Sequence, residues 1–270
     1  MPELPEVETT RRGIAPHLVG QAIQQVIVHN PSLRWPVPDS VQALTQATVQ
    51  TVDRRGKYLL IIVAAGTAIV HLGMSGSLRI CRAQEPRRKH DHVELVLSSG
   101  LVLRFHDPRR FGCFLWQADS DPLHSLLAKL GPEPLTDEFD APYLFNATRK
   151  RQVAIKNFIM NSEKVVGVGN IYASESLFLS GIRPGRVAKR ITRKESVILV
   201  STIKAVLQKS INDGGTTLRD FVNTDGNPGY FAQSLSVYGR AGAPCNTCGE
   251  LIKQKVMGQR STFYCGVCQK

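Results

Sequence analysis

Gly131-Pro132-Glu133-Pro134-Leu135-Thr136-Asp137-Glu138-Phe139-Asp140-Ala141-Pro142 divides the chain into two halves of different pattern. Three prolines in twelve residues cannot sit inside a helix or a central strand, so the segment reads as a break between structural units. Upstream of it the pattern is β-rich. Alternating or continuously apolar runs cover residues 22–29, 48–54, 58–63, 68–72, 93–97, 101–105 and 113–116, and turn signals such as Gly73 to Gly76 and Ser99-Gly100 separate them. Many short strands at this spacing point to a sandwich or barrel rather than βαβ units. One early helix is expected over residues 6–19, between Pro5 and Gly20.

Downstream of the break the pattern turns helical. Helices are expected over 149–160 and 171–180, and a third opens on the capping box Thr192-x-x-Glu195 and runs to about residue 211 before Gly214-Gly215. The last stretch, 239–270, carries Cys245-x2-Cys248 and Cys265-x2-Cys268, with a hairpin expected over 253–264 between the pairs. Four thiolates in two CxxC knuckles fit one tetrahedral zinc ion with no open position, hence a structural and not a catalytic metal. About 30 residues bury too little apolar surface to order themselves without such a staple. Cys81 and Cys113 lie alone in apolar runs and read as small buried hydrophobes. The expected fold is therefore α+β, with an N-terminal β domain (1–131), a linker (132–148), a helical domain (149–238) and a metal-stapled tail (239–270).

Composition narrows the partner. Thirty-four Lys and Arg against 22 Asp and Glu give a formal charge of +12 over 270 residues, an imbalance that favours phosphate polymers. No apolar run nears the roughly 20 residues of a bilayer crossing. The proline-broken, acidic N-terminus does not read as a signal peptide, so a cytoplasmic location is expected. The 42% hydrophobic and 21% charged content excludes wholesale disorder.

Several local features admit two readings each. Gly167-Val168-Gly169-Asn170 ahead of a helix, with Arg151 and Lys156 one helix away, is either a packing loop or a phosphate clamp. Arg109 and Phe111 in Asp107-Pro108-Arg109-Arg110-Phe111-Gly112 pair a cation with an aromatic: a core anchor, or a device that fills a gap in stacked bases. Arg260 between the knuckles is a solvated charge or a phosphate contact. His90 follows Arg87-Arg88-Lys89 and can meet phosphate, whereas His71 packs in a strand. Removal of Met1 before Pro2 would expose a secondary amine next to Glu3. An α-amine titrates near pH 8 and a lysine near 10.4, so at pH 7 roughly 10% of the first and about 0.04% of the second is free base. Pro2 and Glu3 are then either nucleophile and proton shuttle or a plain record of chain trimming.

With Pro2-Glu3-Leu4-Pro5-Glu6-Val7-Glu8, Lys57-Tyr58-Leu59, His71-Leu72-Gly73-Met74-Ser75-Gly76, Asp107 to Gly112, Gly167 to Ala173 and the four-cysteine tail in this order, the chain resembles the formamidopyrimidine-DNA glycosylase and endonuclease VIII family along its whole length. Leu4 favours the glycosylase branch over the endonuclease VIII branch, which opens with glycine there. The resemblance implies an N-terminal β-sandwich with an early helix, a helix–two-turn–helix domain and a zinc finger, with DNA in the cleft between the domains. It implies a bifunctional glycosylase and AP lyase that excises 8-oxoguanine and formamidopyrimidines from duplex DNA. Pro2 would form a Schiff base, Glu3 would be general acid, Lys57 would assist base release and β-elimination, and Arg260 would support δ-elimination. Met74, Arg109 and Phe111 would fill the void left by the flipped nucleotide. His90, Arg151, Lys156 and Asn170 would contact phosphate, and residues 216–238 would close over the lesion. One structural zinc on Cys245, Cys248, Cys265 and Cys268, damaged double-stranded DNA as partner, a monomer and a nucleoid-associated cytoplasmic location complete the expectation. A relative acting on oxidised pyrimidines would share the chemistry and differ in the lesion loop. A non-enzymatic zinc-finger DNA-binding protein would need neither a free N-terminal amine nor Lys57.

Overall fold

The structure is a computed structural model and describes residues 2–214 and 235–270. It divides into two compact units, one built on residues 2–128 and the other on 129–212 with 235–270.

The first unit opens with helix α1 (Leu4–Leu18) and continues through strands β1 (Ile23–Val28), β2 (Val49–Arg55), β3 (Tyr58–Val63), β4 (Gly66–His71), β5 (Ser77–Arg82), β6 (Asp91–Leu97), β7 (Leu101–His106) and β8 (Cys113–Ala118), with a short helix α2 (Ser125–Ala128). Two antiparallel four-stranded sheets form, in the orders β1-β6-β7-β5 and β2-β3-β4-β8. Strand β3 shows the expected alternation, with Leu59, Ile61 and Val63 buried. These residues share one core with Leu95, Leu103, Phe105 and Phe114. Phe105 and Phe114, from different sheets, approach within 6.3 Å between ring centroids, the face-to-face packing of a sandwich. The lone Cys81 and Cys113 are both buried.

Strand β5 is the element that periodicity does not reveal. Its Arg79 is buried, because the guanidinium donates to Asp91 Oδ1 at 2.8 Å and Oδ2 at 3.0 Å. Asp91 also meets His106 Nδ1 at 2.8 Å and the Arg88 N–H at 2.9 Å. A paired charge stands where the alternation rule calls for an apolar residue.

Helix α1 lies against β2, β3 and β5. Glu8 on its inner face accepts from Arg11 at 2.8 Å, Arg12 at 2.8 Å and Arg54 of β2 at 3.3 Å. Burial alone would raise this carboxyl. The hydrogen bonds from Arg11 and Arg12 and the charges of Arg11 and Arg54 outweigh it and hold the group down to about 2. A depressed carboxyl stabilises the fold above its unfolded value of 4.5 and loses that contribution as pH falls toward 2. Acid titrations of the Glu8→Gln variant and the parent, followed by circular dichroism, are therefore expected to converge only at about pH 2 and diverge above about pH 5.

The second unit holds α3 (Ala141–Thr148), α4 (Ile155–Ile159), α5 (Asn170–Leu179), α6 (Arg193–Asn212) and the hairpin β9 (Ile252–Met257) and β10 (Arg260–Cys265). The capping box at the head of α6 forms as expected: the Thr192 N–H donates to Glu195 Oε2 at 2.8 Å, and the Glu195 N–H to Thr192 Oγ1 at 3.2 Å. Two expectations need correction. Part of the linker 132–148 is helical, because the Asp140 side chain caps α3 by accepting from the Tyr143 N–H at 2.7 Å, and α3 packs on α6. The helix expected over 149–160 shrinks to the five residues of α4. Ahead of it the backbone is committed elsewhere: the Ala188 and Lys189 N–H groups donate to Val153 and Arg151, and the Ile155 N–H to Arg186. Among the described residues no helix is long and apolar enough to cross a membrane.

Candidate functional site

In the first unit, two loops meet back to back. The turn between β4 and β5 carries Met74, and the connection from β7 to β8 carries Arg109 and Phe111. A Cβ on Gly73, whose φ is +63°, would lie 2.5 Å from the Gly112 nitrogen and the Phe111 carbonyl carbon, so the two backbones touch and only glycine fits. His71 fixes the start of the first loop, its Nδ1 accepting from the Gly73 N–H at 2.9 Å. Burial, with the nearby charges of Lys57 and Arg34, lowers the His71 pKa to about 4, so the ring is neutral near pH 7 and keeps its proton on Nε2. In the second loop Arg109 and Phe111 are both exposed, and the guanidinium stands 5.0 Å from the Phe111 ring centroid. Phe111 is thus no core anchor.

His90 is half-buried at the same end of the unit, and its carbonyl accepts from the Asp107 N–H at 3.0 Å. Phe111 also walls a cavity of about 210 Å³ shared with Arg34, Trp35, Tyr58 and His71. Arg34 and Trp35 escaped the sequence reading; the only signal was an arginine–tryptophan pair in a loop. The structure ties them to the second loop, the Arg34 N–H donating to the Arg110 carbonyl at 2.9 Å.

Pro2 and Glu3 are buried and stand immediately ahead of α1, with Glu3 as its N-cap. The Glu3 N–H donates to Glu6 Oε2 at 2.8 Å, which fixes the backbone next to Pro2. The N-terminal end of a 15-residue helix carries partial positive charge, and that disfavours protonation of an amine placed there. Lys57 follows the turn glycine Gly56 at the head of β3 and is half-buried.

The second unit gathers Lys156, Asn170 and the hairpin into one polar cluster. Lys156 is fully buried; its Nζ donates to Asn170 Oδ1 at 2.5 Å, Thr262 Oγ1 at 2.6 Å and the Ser261 carbonyl at 3.2 Å. Asn170 Nδ2 donates to the same Ser261 carbonyl at 3.0 Å. One sequence expectation changes here. Lys156 is an interior cation that joins α4, α5 and β10, not a surface phosphate contact. Asn170 is the first residue of α5 and Gly169 its N-cap, and the asparagine side chain serves the hairpin.

Arg151 and Arg260 are exposed. Arg260 follows the two-residue turn Gly258-Gln259, both of whose φ values are positive (55° and 59°), the backbone of a type I′ hairpin. Glu175 is a further buried group that patterning did not single out: its carboxylate accepts from the Ser236, Val237 and Tyr238 N–H groups at 2.7, 2.9 and 2.8 Å. The expected lesion loop, 216–238, lies outside the described residues apart from this anchored end.

The four tail cysteines converge. Their sulfurs all lie within 4.8 Å of one another, with Cys245–Cys268 at 3.9 Å and Cys248–Cys265 at 3.5 Å. A tetrahedral zinc with bonds of about 2.3 Å needs sulfurs about 3.8 Å apart, so the set fits the ion. The N–H groups of Thr247 and Cys268 point at Cys245 and Cys265 sulfurs at 3.5 and 3.4 Å, which favours the thiolate form. Cys245 and Cys265 share a small core with Phe178 of α5, Val237, Ile252 and Phe263.

Comparison with known proteins agrees with this arrangement. The Formamidopyrimidine-DNA glycosylase N-terminal domain matches residues 1–114, the Formamidopyrimidine-DNA glycosylase H2TH domain residues 130–222, and the zinc finger found in FPG and IleRS residues 242–270. The Formamidopyrimidine-DNA glycosylase of Thioalkalivibrio sulfidiphilus is 60% identical over 271 residues, covering all of both chains. A Lactococcus lactis Fpg mutant bound to DNA containing Fapy-dG superposes with a TM-score of 0.92 at 33% identity, covering all of both chains. A MutM protein bound to DNA containing carbocyclic 8-oxo-G gives 0.91 at 34%, again with full coverage. The tail is thus a zinc finger, and Cys245, Cys248, Cys265 and Cys268 hold one structural zinc ion. With its three parts matched in order and its relatives aligned end to end, the chain is an enzyme of the formamidopyrimidine-DNA glycosylase family.

Proposed function

We propose that this enzyme excises oxidised purines, chiefly 8-oxoguanine and formamidopyrimidines, from duplex DNA and then cleaves the strand. The observation that carries the reading is the placement of Pro2 and Glu3: side by side, buried, at the positive end of α1, with the intervening backbone held by Glu6. Once Met1 is removed, the Pro2 nitrogen bonds to C1′ of an extruded nucleotide as the bond from C1′ to the base breaks. Glu3 passes a proton that lets the base leave neutral, and an iminium ion joins Pro2 to the opened sugar. Lys57 supports base release and the next step. Loss of a C2′ proton expels the 3′-phosphate; loss of a C4′ proton, aided by Arg260, expels the 5′-phosphate. Hydrolysis frees Pro2 and leaves a one-nucleoside gap flanked by phosphates.

Extruding a base costs a few kcal/mol of stacking, least for a damaged one. Met74, Arg109 and Phe111 offset that cost by entering the space vacated, with Arg109 facing the orphaned cytosine. His90, Arg151 and Asn170 meet phosphates, which position the duplex without reading its sequence. Lys156 acts at one remove by holding Asn170. The lesions in the DNA bound by the two similar proteins, Fapy-dG and carbocyclic 8-oxo-G, support the choice of substrate.

Borohydride reduction during turnover is expected to trap a covalent complex with DNA carrying 8-oxoguanine, and peptide mapping should place the sugar on Pro2. A trap that forms only with oxidised pyrimidines would move the substrate class, and a cross-link on a lysine would remove Pro2 from the role of nucleophile.

A further inference from the structure

Asp107 lies at the centre of the two-loop assembly, and nothing above gives it a part in the reaction. It is fully buried, and Ser75 nearly so. Its Oδ1 accepts from the Ser75 hydroxyl at 2.8 Å, and its Oδ2 accepts from the Gly112 N–H at 2.8 Å. Its carbonyl accepts from the Arg110 N–H at 3.2 Å, closing a turn with Pro108 at the second position, and stands 2.8 Å from His92 Nε2. Its own N–H donates to the carbonyl of His90. Ser75, next to Met74, in turn accepts the Arg109 N–H at 3.3 Å. One side chain and its hydroxyl partner therefore touch the loop of Met74 and both ends of the loop that presents Arg109 and Phe111.

The second loop needs such a hold. Arg110 sits at φ +55°, a left-handed backbone that a non-glycine residue adopts only under constraint. That bend places Arg109 and Phe111 beside each other, cation over ring. Left to itself the loop would relax toward commoner backbone angles and part the two side chains. A wedge that enters stacked DNA must be rigid beforehand, since ordering it at the moment of entry would add to the cost of extrusion.

We infer that Asp107, through Ser75 and the Gly112 N–H, is a positioning residue that staples the Met74 loop to the Arg109–Phe111 loop and so makes a single preformed wedge for base extrusion. The inference rests on the void-filling reading of Met74, Arg109 and Phe111. Its consequence is specific: the staple matters where a base must be levered out of a paired stack, and matters little where that work is already done.

The test compares excision of 8-oxoguanine paired with cytosine against the same lesion facing a one-nucleotide gap, for Ser75→Ala, Asp107→Asn, and Phe111→Ala as the direct probe of the wedge. Removing one hydrogen bond of this kind is worth about tenfold. Ser75→Ala is expected to lose about tenfold in kcat/KM on the paired lesion and less than about threefold on the gapped one. Asp107→Asn, whose amide can serve only one of its two donors, is expected to lose more with the same selectivity. A pair-selective loss in Phe111→Ala together with the staple variants supports the inference. A pair-selective loss in Phe111→Ala alone overturns the staple and leaves the wedge intact. Absence of pair selectivity in Phe111→Ala overturns the void-filling reading and the staple with it. Equal losses on both substrates in the staple variants also overturn the inference, because they would reflect general damage to the fold. Should Asp107→Asn unfold at the assay temperature, the comparison rests on Ser75→Ala.

Discussion

A form of the enzyme that keeps one residue ahead of Pro2, or carries an acetylated Pro2, is expected to lose glycosylase activity by about a thousandfold or more while still binding lesion-containing DNA. The reason is elementary. Acylating the nitrogen makes it an amide, which has no free pair to offer a sugar carbon, and a lysine amine of ordinary pKa has no comparable fraction of free base at neutral pH. A lysine substituting for it would start from about 0.04% free base against roughly 10%, a deficit of a few hundredfold before geometry is counted.

Geometry adds to that deficit. Pro2 stands beyond the positive end of α1, and Glu6 holds the Glu3 N–H, so the amine and its acid partner are presented together and are buried. A mature chain with Pro2→Gly keeps an α-amine and should lose much less, about ten- to a hundredfold, because the ring's fixed backbone is gone but the nucleophile is not. The two variants are read against each other by borohydride trapping and by single-turnover base release. Full activity in a chain shown by mass spectrometry to retain Met1 would end the assignment.

What could be read in advance, and what could not, follows from how far each signal reaches along the chain. Strand β3 is delimited correctly because Leu59, Ile61 and Val63 alternate between turn residues, and the head of α6 because the capping box is complete within four residues. The tail cysteines declare their own geometry. Strand β5 stayed hidden because its buried Arg79 is balanced by Asp91, twelve residues away. The helix expected at Arg149 fails for a similar reason: residues 151–155 pair with 186–189, and no local pattern announces it. Candidate site residues divide the same way. Pro2, Arg109, Phe111 and Arg260 stand in readable motifs, whereas the interior position of Lys156 depends on Thr262, more than a hundred residues on. Asp107 sits inside a motif that was read for its arginines and phenylalanine, and its own task appears only when Ser75 is brought beside it.

Removing the zinc ion should reach well beyond the finger. Cys248→Ser is expected to abolish zinc retention and weaken binding to lesion-containing DNA by about a hundredfold or more, since a structural zinc contributes on the order of 10–16 kcal/mol to the fold it organises. Cys245 and Cys265 belong to an apolar cluster that the finger shares with α5, so the hairpin loses its seat once the sulfurs part. The consequences then run inward. Ser261 and Thr262 supply two of the oxygens that meet Lys156 Nζ, and Ser261 also receives Asn170. If β10 leaves, a fully buried ammonium loses two of its partners, a change that costs several kcal/mol for a charge kept from water. The region around α4 and the start of α5 must then rearrange to expose it. Hydrogen exchange should therefore speed up at 155–159 and 170–172 as well as in the finger itself, and metal analysis should show the ion gone. A zinc-free variant that protects α4 as well as the parent does, and binds DNA as tightly, would show that the staple and the residues proposed to contact phosphate are independent.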